Sequence, residues 1–263
     1  MIARLWYKEP IFRLFLSVRH FVFSRFFLGS CFLFFTVFEV KSKEEEDRAA
    51  RVAKKVSPRL KEELGARGLV FGKPVFIRVF KEERELELWI KKEDSFILFR
   101  NYAIAAMSGK LGPKLIEGDG QAPEGFYYVP KSKMNPRSLY HLSFNIGFPN
   151  SYDRVHDRTG SFIMVHGDEQ SIGCFAMTDE KIEEIYTLCD AALAGGQPYF
   201  RVHCFPFRMS ETRMKREEEH QWGVFWKNLK EGYDWFEKKK IPPNVEVEEK
   251  RYVFESERDE VSR

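Results

Sequence analysis

The chain lacks the residue patterns that mark metal and nucleotide sites. It has four cysteines in 263 residues, none in a CxxC pair, and His141, His203 and His220 share no ligand spacing. Gly118 and Gly120 do not form a phosphate-binding loop, because a third glycine and a following helix are missing. We therefore expect no zinc site, no nucleotide-binding loop and no cofactor.

The body of the chain has no excess of charge of either sign. The sequence holds 43 Lys and Arg against 40 Asp and Glu, and the surplus lies in residues 1–40, where five basic residues face two acidic ones. Binding to nucleic acid depends on clustered Lys and Arg that neutralise phosphates. The balanced body therefore predicts no nucleic-acid partner.

The N-terminus has the composition of a targeting segment. Residues 26–38 form an uncharged run of 13 residues behind a basic flank, whereas a membrane span needs about 20. This length is typical of a secretory signal, but no small-residue cleavage site follows, so a cleaved peptide and an uncleaved signal anchor both stay open. The basic flank favours export of the body. We expect residues 1–40 to make the only membrane contact.

The remainder divides into three parts by composition. Residues 41–69 are highly charged and predict a solvated helix or spacer. Residues 70–209 contain short β-type runs and form the predicted catalytic domain, and residues 210–263 form a C-terminal helix and tail packed on it. The first three strands read as a meander, and the predicted strands cover 75–80, 85–90, 95–99, 126–129, 139–145, 161–166, 172–177 and 199–205.

Two helices are predicted in the second half. One begins after Thr178, whose hydroxyl can cap it, and ends at Gly195 and Gly196. The other covers about 210–239 and presents an aromatic stripe, followed by a peripheral tail. Together these elements predict a mainly β, α+β fold, with a curved or sandwiched sheet, a packing helix after Cys174 and a long C-terminal helix.

The cysteines other than Cys174 are not predicted to be functional. Cys189 and Cys204 could pair as a disulfide outside the cytoplasm, but both lie in apolar stretches. Apolar surroundings favour buried free thiols for both.

One short segment combines the residue types that thiol chemistry requires. His166-Gly167 precedes Ser171-Ile172-Gly173-Cys174, and seven residues separate His166 from Cys174. An imidazole next to a thiol can lower its pKa and take its proton. We expect His166 to end one strand and Cys174 to lie on the next, with the two strands antiparallel. Gly173 allows close approach of a substrate, and backbone N–H groups near it could stabilise an oxyanion.

This segment resembles the signature of the L,D-transpeptidase (YkuD-type) catalytic domain family, and of its YafK-like subfamily in particular. The resemblance covers roughly residues 70–245. It rests on six ordered blocks: Lys81-Glu82-Glu83-Arg84, Leu111-Gly112-Pro113-Lys114, Asn145-Ile146-Gly147-Phe148-Pro149-Asn150, Met164-Val165-His166-Gly167, Ser171-Ile172-Gly173-Cys174 and Pro206-Phe207-Arg208-Met209.

The resemblance implies a reaction on peptidoglycan stem peptides. Cys174 would attack the bond between the L-centre of a diamino acid and the following D-residue, and His166 would act as base and then acid. Ser171 and Gly173 would support the tetrahedral intermediates. Gly167 would contact the substrate. The polar loop before the catalytic strand adds Tyr152 and Arg154, which could bind a stem-peptide carboxylate.

Two departures from the broad family leave other functions open. The interval from His166 to Cys174 is shorter than usual, and Ala176 replaces an arginine common two residues after the nucleophile. A hydrolase of the same fold could cut stem peptides or release a peptidoglycan-linked envelope protein. An inactive module that binds wall peptides is the alternative without catalysis. A papain-like protease has the opposite order of Cys and His. The implied location is the periplasm of a Gram-negative bacterium.

Overall fold

The computed structural model describes residues 48–255, so the predicted targeting segment at residues 1–40 lies outside the described residues. None of the helices in this part of the chain is both long and apolar enough to cross a membrane. The strands are β1 (Val75–Phe80), β2 (Glu85–Lys92), β3 (Ser95–Ala103), β4 (Gly125–Pro130), β5 (Met134–Asn135), β6 (Ser143–Asn145), β7 (Met164–His166), β8 (Phe175–Ala176), β9 (Tyr199–Phe205), β10 (Asn244–Glu248) and β11 (Arg251–Glu255). The helices are α1 (residues 48–66), α2 (Ser151–Val155), α3 (Asp179–Ala194), α4 (Glu211–Arg216) and α5 (Gly223–Lys239), with a 3-10 turn at Lys131–Lys133.

The strands form two larger sheets and a hairpin, which confirms the mixed α+β fold. The first sheet has the order β3-β2-β1-β9-β4, the second has the order β5-β6-β7-β8, and β10 pairs with β11. The predicted meander is confirmed, because β2 pairs antiparallel with both β1 and β3. Strand β1 pairs parallel with β9, which lies far along the chain. All six residues of β1 are buried, as expected for a central strand covered on both faces.

The main hydrophobic core lies between the two larger sheets and helix α3. It joins side chains of the first sheet, such as Ile77 and Val202, to Phe144 and Phe175 of the second. Thr178 caps α3 as predicted, since its hydroxyl accepts from the Lys181 N–H at 3.5 Å, and Gly195 ends the helix. Helix α3 contacts β6 and β7, and β7 ends with His166.

Helix α1 differs from the solvated spacer predicted over residues 41–69. Val52, Val56, Leu60 and Leu64 recur every fourth residue and are all buried in the main core. This spacing places them on one face of the helix. The sequence analysis missed this apolar face because charged residues occupy the other faces of the helix and dominate its composition.

The C-terminal part confirms the predicted long helix but not its extent. The single helix predicted over 210–239 is instead α4 and α5, separated by a turn at residues 217–222. At this turn the chain approaches itself closely, because a Cβ on Gly223 would lie 2.8 Å from the Glu218 carbonyl oxygen.

The prediction of a peripheral tail is wrong for residues 244–255. They form the hairpin of β10 and β11, and Tyr252 is buried against Tyr152 with ring centroids 4.2 Å apart. Hairpin and α5 cover the outer face of the first sheet, where a second aromatic core includes Phe126 and Phe205. The alternation of Val245 and Val247 with glutamates was the sequence signal for this strand.

The three predicted strands around the site are shorter than expected. The runs 139–145, 161–166 and 172–177 contract to β6, β7 and β8. A residue with positive φ precedes each of them, namely His141 (φ 64°), Phe162 (φ 53°) and Gly173 (φ 82°). The left-handed conformation breaks an extended strand, so each run begins as loop.

Cys189 and Cys204 are free thiols in the main core, as the apolar surroundings predicted. Burial raises the pKa of both thiols, which keeps them protonated.

Candidate active site

His166 ends β7 of the second sheet, and Cys174 directly precedes the neighbouring strand β8. Strands β7 and β8 are parallel, with Val165 opposite Phe175 and His166 opposite Ala176. The predicted antiparallel arrangement is therefore wrong: the loop 167–174 carries the chain back along β7, so that Cys174 comes beside Met164. Cys174 directly precedes β8 and is not the strand residue that was predicted, and continuing the register places it beside Met164, two residues from His166.

The thiol of Cys174 is held by backbone groups at the start of β7. Its Sγ accepts from the Met164 N–H at 3.4 Å, and the thiol donates to the Phe162 carbonyl at 3.6 Å. Within residues 48–255 the structure shows no hydrogen bond between Cys174 and His166. The thiol is half-buried.

The His166 imidazole is oriented by a single carbonyl group. Its Nδ1 lies 2.5 Å from the Gly167 carbonyl oxygen. A carbonyl oxygen only accepts, so Nδ1 carries the proton and Nε2 is left as a proton acceptor. The ring also packs on Tyr140, with centroids 4.9 Å apart.

Gly167 has a packing role in this arrangement. A Cβ there would lie 2.5 Å from Asp179 Oδ1 and 2.9 Å from the Tyr140 carbonyl oxygen. Its N–H donates to the carbonyls of Tyr140 and Leu142, both at 3.1 Å. The position therefore admits only glycine, and the Gly167 carbonyl stays in place to receive Nδ1–H.

Burial favours the neutral forms of both Cys174 and His166. Burial raises the pKa of the Cys174 thiol, although the Met164 N–H and the nearby Lys114 ammonium act in the opposite direction. Burial lowers the pKa of His166, opposed by its hydrogen bond to Gly167 and by Asp168. The expected lowering of the thiol pKa by the imidazole is absent from this geometry, because a neutral imidazole gives a thiolate no charge stabilisation.

Ser108 is a positioning residue that the sequence analysis missed. Its hydroxyl accepts from the Gly173 N–H at 2.7 Å and donates to the Gly120 carbonyl at 2.6 Å. It thereby connects the segment 109–125 to the loop 167–174, named the nucleophile loop after its candidate nucleophile Cys174. Ser171 Oγ, in contrast, is buried with no hydrogen-bond partner among residues 48–255, so it does not orient the imidazole in this structure.

Lys114 is a second residue near Cys174 that the sequence analysis did not predict as part of the site. It is almost fully buried, and its Nζ donates to the Ile116 carbonyl at 2.9 Å and pairs with Asp119 Oδ1 at 2.5 Å. Buried lysines are rare unless they are paired. Its place in the Leu111-Gly112-Pro113-Lys114 block was the only sequence signal for it.

Tyr152 and Arg154 lie apart from the thiol. Tyr152 is buried and stacks on Tyr252 and Phe225, so its contacts are those of a core residue. Arg154 is exposed on the short helix α2, and its guanidinium donates to the Pro149 carbonyl at 2.5 Å. Both residues line a cavity that Cys174 does not line.

Ala176 occupies a position with no room for a longer side chain. It is fully buried, and its N–H donates to the Ala106 carbonyl at 2.9 Å. The edge of β8 is thus closed by residues 105–106 instead of being open to a substrate.

The domain model of the L,D-transpeptidase catalytic domain, YkuD, matches residues 74–204. The chain is 47% identical over 184 residues to the protein named Putative L,D-transpeptidase YafK from Escherichia coli K12. That match covers 70% of this chain and 75% of the relative, and the protein of the same name from E. coli O157:H7 matches equally. The chain belongs to the L,D-transpeptidase YkuD family.

Solved structures give a more distant comparison. The helical cell shape determining protein Pgp2 of Campylobacter jejuni, in its K307A form, aligns with a TM-score of 0.43 at 20% identity. The alignment covers 64% of this chain, and the chain spans 60% of that structure. Wild-type Pgp2 aligns with the same TM-score at 17% identity, covering 68% of this chain and 74% of that structure.

Proposed function

We propose that this protein is a periplasmic cysteine acyltransferase that acts on peptidoglycan stem peptides in a Gram-negative envelope. Cys174 is the nucleophile and His166 is the general base. The observation that carries the proposal is the parallel pairing of β7, which ends with His166, and β8, which Cys174 directly precedes, with Nδ1–H of His166 fixed by the Gly167 carbonyl. Membership of the L,D-transpeptidase family supports the choice of substrate.

The reaction begins with two neutral groups. As Sγ of Cys174 attacks the carbonyl carbon of the L-centre, its proton passes to Nε2 of His166. The imidazolium then gives this proton to the departing amine of the D-residue, and a thioester remains. An acceptor amine attacks the thioester and passes a proton to His166, the C–S bond breaks to release the Cys174 thiolate, and the imidazolium returns the proton to the sulfur. The thiol must first exchange its contact with the Phe162 carbonyl for one with Nε2.

The tetrahedral intermediates need hydrogen-bond donors near the thiol. The Gly173 N–H already donates to Ser108 Oγ at 2.7 Å. We therefore assign the oxyanion to the backbone N–H of Cys174, and give Gly173 the role of shaping the loop at φ 82°. The role of Ser171 is to donate its unpartnered buried hydroxyl to bound substrate.

A hydrolase that releases peptidoglycan-linked protein is the second candidate. One observation favours it: apolar side chains stand exposed beside the two reacting residues. Leu139 is 98% exposed, Phe162 is 75% exposed and Ile172 is 85% exposed. Such neighbouring apolar groups mark protein-binding sites more often than sites for polar peptides. In this case water takes the place of the acceptor amine.

The test is mass spectrometry of peptidoglycan incubated with the protein, in parallel with Cys174→Ala and with Cys189→Ala as the matched control. Cys189 is a buried thiol outside the site. New linked muropeptides that require Cys174 but not Cys189 establish transpeptidation. Loss of linkages or release of bound protein with the same requirement establishes the hydrolase. If Cys174→Ala matches the wild type on every wall substrate, both proposals fail and a wall-peptide-binding module remains.

A further inference from the structure

A cavity of about 460 Å³ lies away from the thiol, on the outer face of the first sheet. Its walls come from β4, β9, β10 and the segment that leads into α2. Neither Cys174 nor His166 lines it. Three basic side chains line it, Lys133, Arg154 and Arg201, against one acidic side chain, Glu246. The cavity is therefore positively charged in a chain whose body is neutral.

Two of these cations are held close together without a carboxylate. Among residues 48–255 neither Lys133 nor Arg154 forms an ion pair, and each contacts a backbone carbonyl, that of Tyr128 at 3.5 Å and that of Pro149 at 2.5 Å. Burial lowers the pKa of Lys133, and the nearby Arg154 guanidinium lowers it further. Like charges in proximity cost free energy, which an anion between them would recover.

Gly147 makes this placement of Lys133 possible. A Cβ on Gly147 would lie 2.3 Å from Lys133 Nζ, so the ammonium occupies the space of the missing side chain. Gly147 also has φ 93°, which disfavours any other residue. The absence of a side chain at Gly147 thus leaves room for the Lys133 ammonium.

Two tyrosine rings and one histidine without a hydrogen-bond partner among the described residues line the cavity. Tyr128 and Tyr199 are half-exposed and pack with centroids 5.5 Å apart. His203 lines the cavity at 1% exposure, and neither of its ring nitrogens has a hydrogen-bond partner within the described part of the chain. A buried polar group without a partner is uncommon in a native protein, and a bound ligand can supply one.

Strand β10 presents its backbone to the cavity. Four consecutive residues, 244–247, line it. Side chains of a strand alternate between faces, so consecutive lining residues mean that the edge of the strand faces the cavity. In residues 48–255, β10 pairs only with β11, which leaves this edge available to an added strand.

We propose that the cavity binds a short peptide with free carboxylates, whose amide groups hydrogen-bond to the free edge of β10 and one of whose carboxylates lies between Lys133 and Arg154. Backbone hydrogen bonds to β10 give affinity, and the two cations select the carboxylate. The source of the ligand rests on the proposed function: stem peptides of the wall are short and carry carboxylates. This site would hold a wall peptide apart from the bond that Cys174 attacks.

The test is a binding titration of the full chain carrying Cys174→Ala, so that no turnover occurs. The probe is the stem tripeptide L-alanyl-γ-D-glutamyl-meso-diaminopimelate, compared with its fully amidated form and with inorganic phosphate. Lys133→Gln and Arg154→Gln should each raise the dissociation constant about ten-fold, because each removes a charge-assisted hydrogen bond. Lys131→Gln is the matched control, since Lys131 pairs with Asp190 and does not line the cavity.

The proposal is overturned if the acid and the amide bind equally, or if Lys131→Gln weakens binding as much as Lys133→Gln. Phosphate that binds as tightly as the tripeptide would overturn the part of the proposal that concerns a peptide along β10. Because the assay measures binding to an inactive variant, its result is independent of whether Cys174 performs acyl transfer. Loss of tripeptide binding only in the Lys133 and Arg154 variants supports the site.

Discussion

At the scale of single residues, burial favours the uncharged forms of the Cys174 thiol and the His166 imidazole. The Cys174 thiol donates to the Phe162 carbonyl, and this contact suits a protonated sulfur. His166 is buried and fixed with Nε2 as acceptor. A preformed thiolate–imidazolium pair would need both groups charged in an environment that penalises charge. General-base removal of the thiol proton during attack is the mechanism that this environment permits.

This mechanism predicts the pH dependence of thiol alkylation. Burial raises the pKa of Cys174 above the ordinary value of 9.0, so the thiol stays protonated at neutral pH. Because the thiolate is the nucleophile, alkylation of the free protein by iodoacetamide should be slow at pH 7. Its rate should rise about ten-fold per pH unit until the pH exceeds that pKa. The rate is measured by mass spectrometry of the peptide that contains Cys174.

The control for this measurement is the Cys174→Ala variant, which gives the background from other thiols. Cys189 and Cys204 are buried in the core and should stay unmodified in the folded protein. A fast alkylation rate that is constant between pH 6 and pH 8 would contradict the prediction. That outcome would mean that His166 and Cys174 form an ion pair in solution.

At the scale of secondary structure, helix α1 shares its hydrophobic core with the strands next to Cys174 and His166. Its apolar face enters the main core, and its polar face forms ion pairs with α3, Lys55 with Glu183 and Arg59 with Glu184. The ion pairs are partly exposed and contribute little. The stability of this contact therefore comes from the buried leucines and valines.

We predict that Leu60→Ala destabilises the protein by about 2–5 kcal/mol, because Leu60 is fully buried and its removal leaves a cavity. Glu62→Ala on the exposed side of the same helix should change the free energy of unfolding by less than about 0.5 kcal/mol. Urea denaturation followed by circular dichroism measures both. If both substitutions change the free energy of unfolding by the same small amount, α1 is a solvated spacer and the prediction fails.

The elements that were predictable are those with a local signal. Strand β9 and the meander carry continuous or alternating apolar residues, and Thr178 followed by acidic residues marks the start of α3. The pairing of β7 with β8 was not predictable, because its direction depends on the path of the loop 167–174. The clamp from Ser108 to Gly173 joins residues 65 apart in the chain, and a lone serine gives no sign of it. His166 and Cys174 were found through a motif, not through their geometry.

At the scale of the whole molecule, one buried carboxylate connects three parts of the chain. Glu124 accepts from the Lys81 ammonium at 2.9 Å, from the Gly112 N–H at 2.7 Å and from the Trp226 indole N–H at 2.8 Å. These partners lie at the end of β1, in the segment 109–125 and on α5. Lys81 also donates to the carbonyls of Gly112 and Ala122. The segment 109–125, which contains Lys114 and the Gly120 carbonyl that accepts from Ser108, is thereby tied to the C-terminal helix.

We predict that Glu124→Leu lowers the free energy of unfolding by about 3–5 kcal/mol, because it leaves the Lys81 ammonium buried without its counter-charge. The double variant Lys81→Met with Glu124→Leu should recover a large part of this loss, since no unpaired charge remains. Thermal and urea unfolding of the wild type, both single variants and the double variant measure the coupling between the two residues. Losses that simply add in the double variant would show that the two side chains act independently. Recovery of stability in the double variant without recovery of Cys174-dependent activity would assign the pair a second role, that of holding the segment 109–125 against the nucleophile loop.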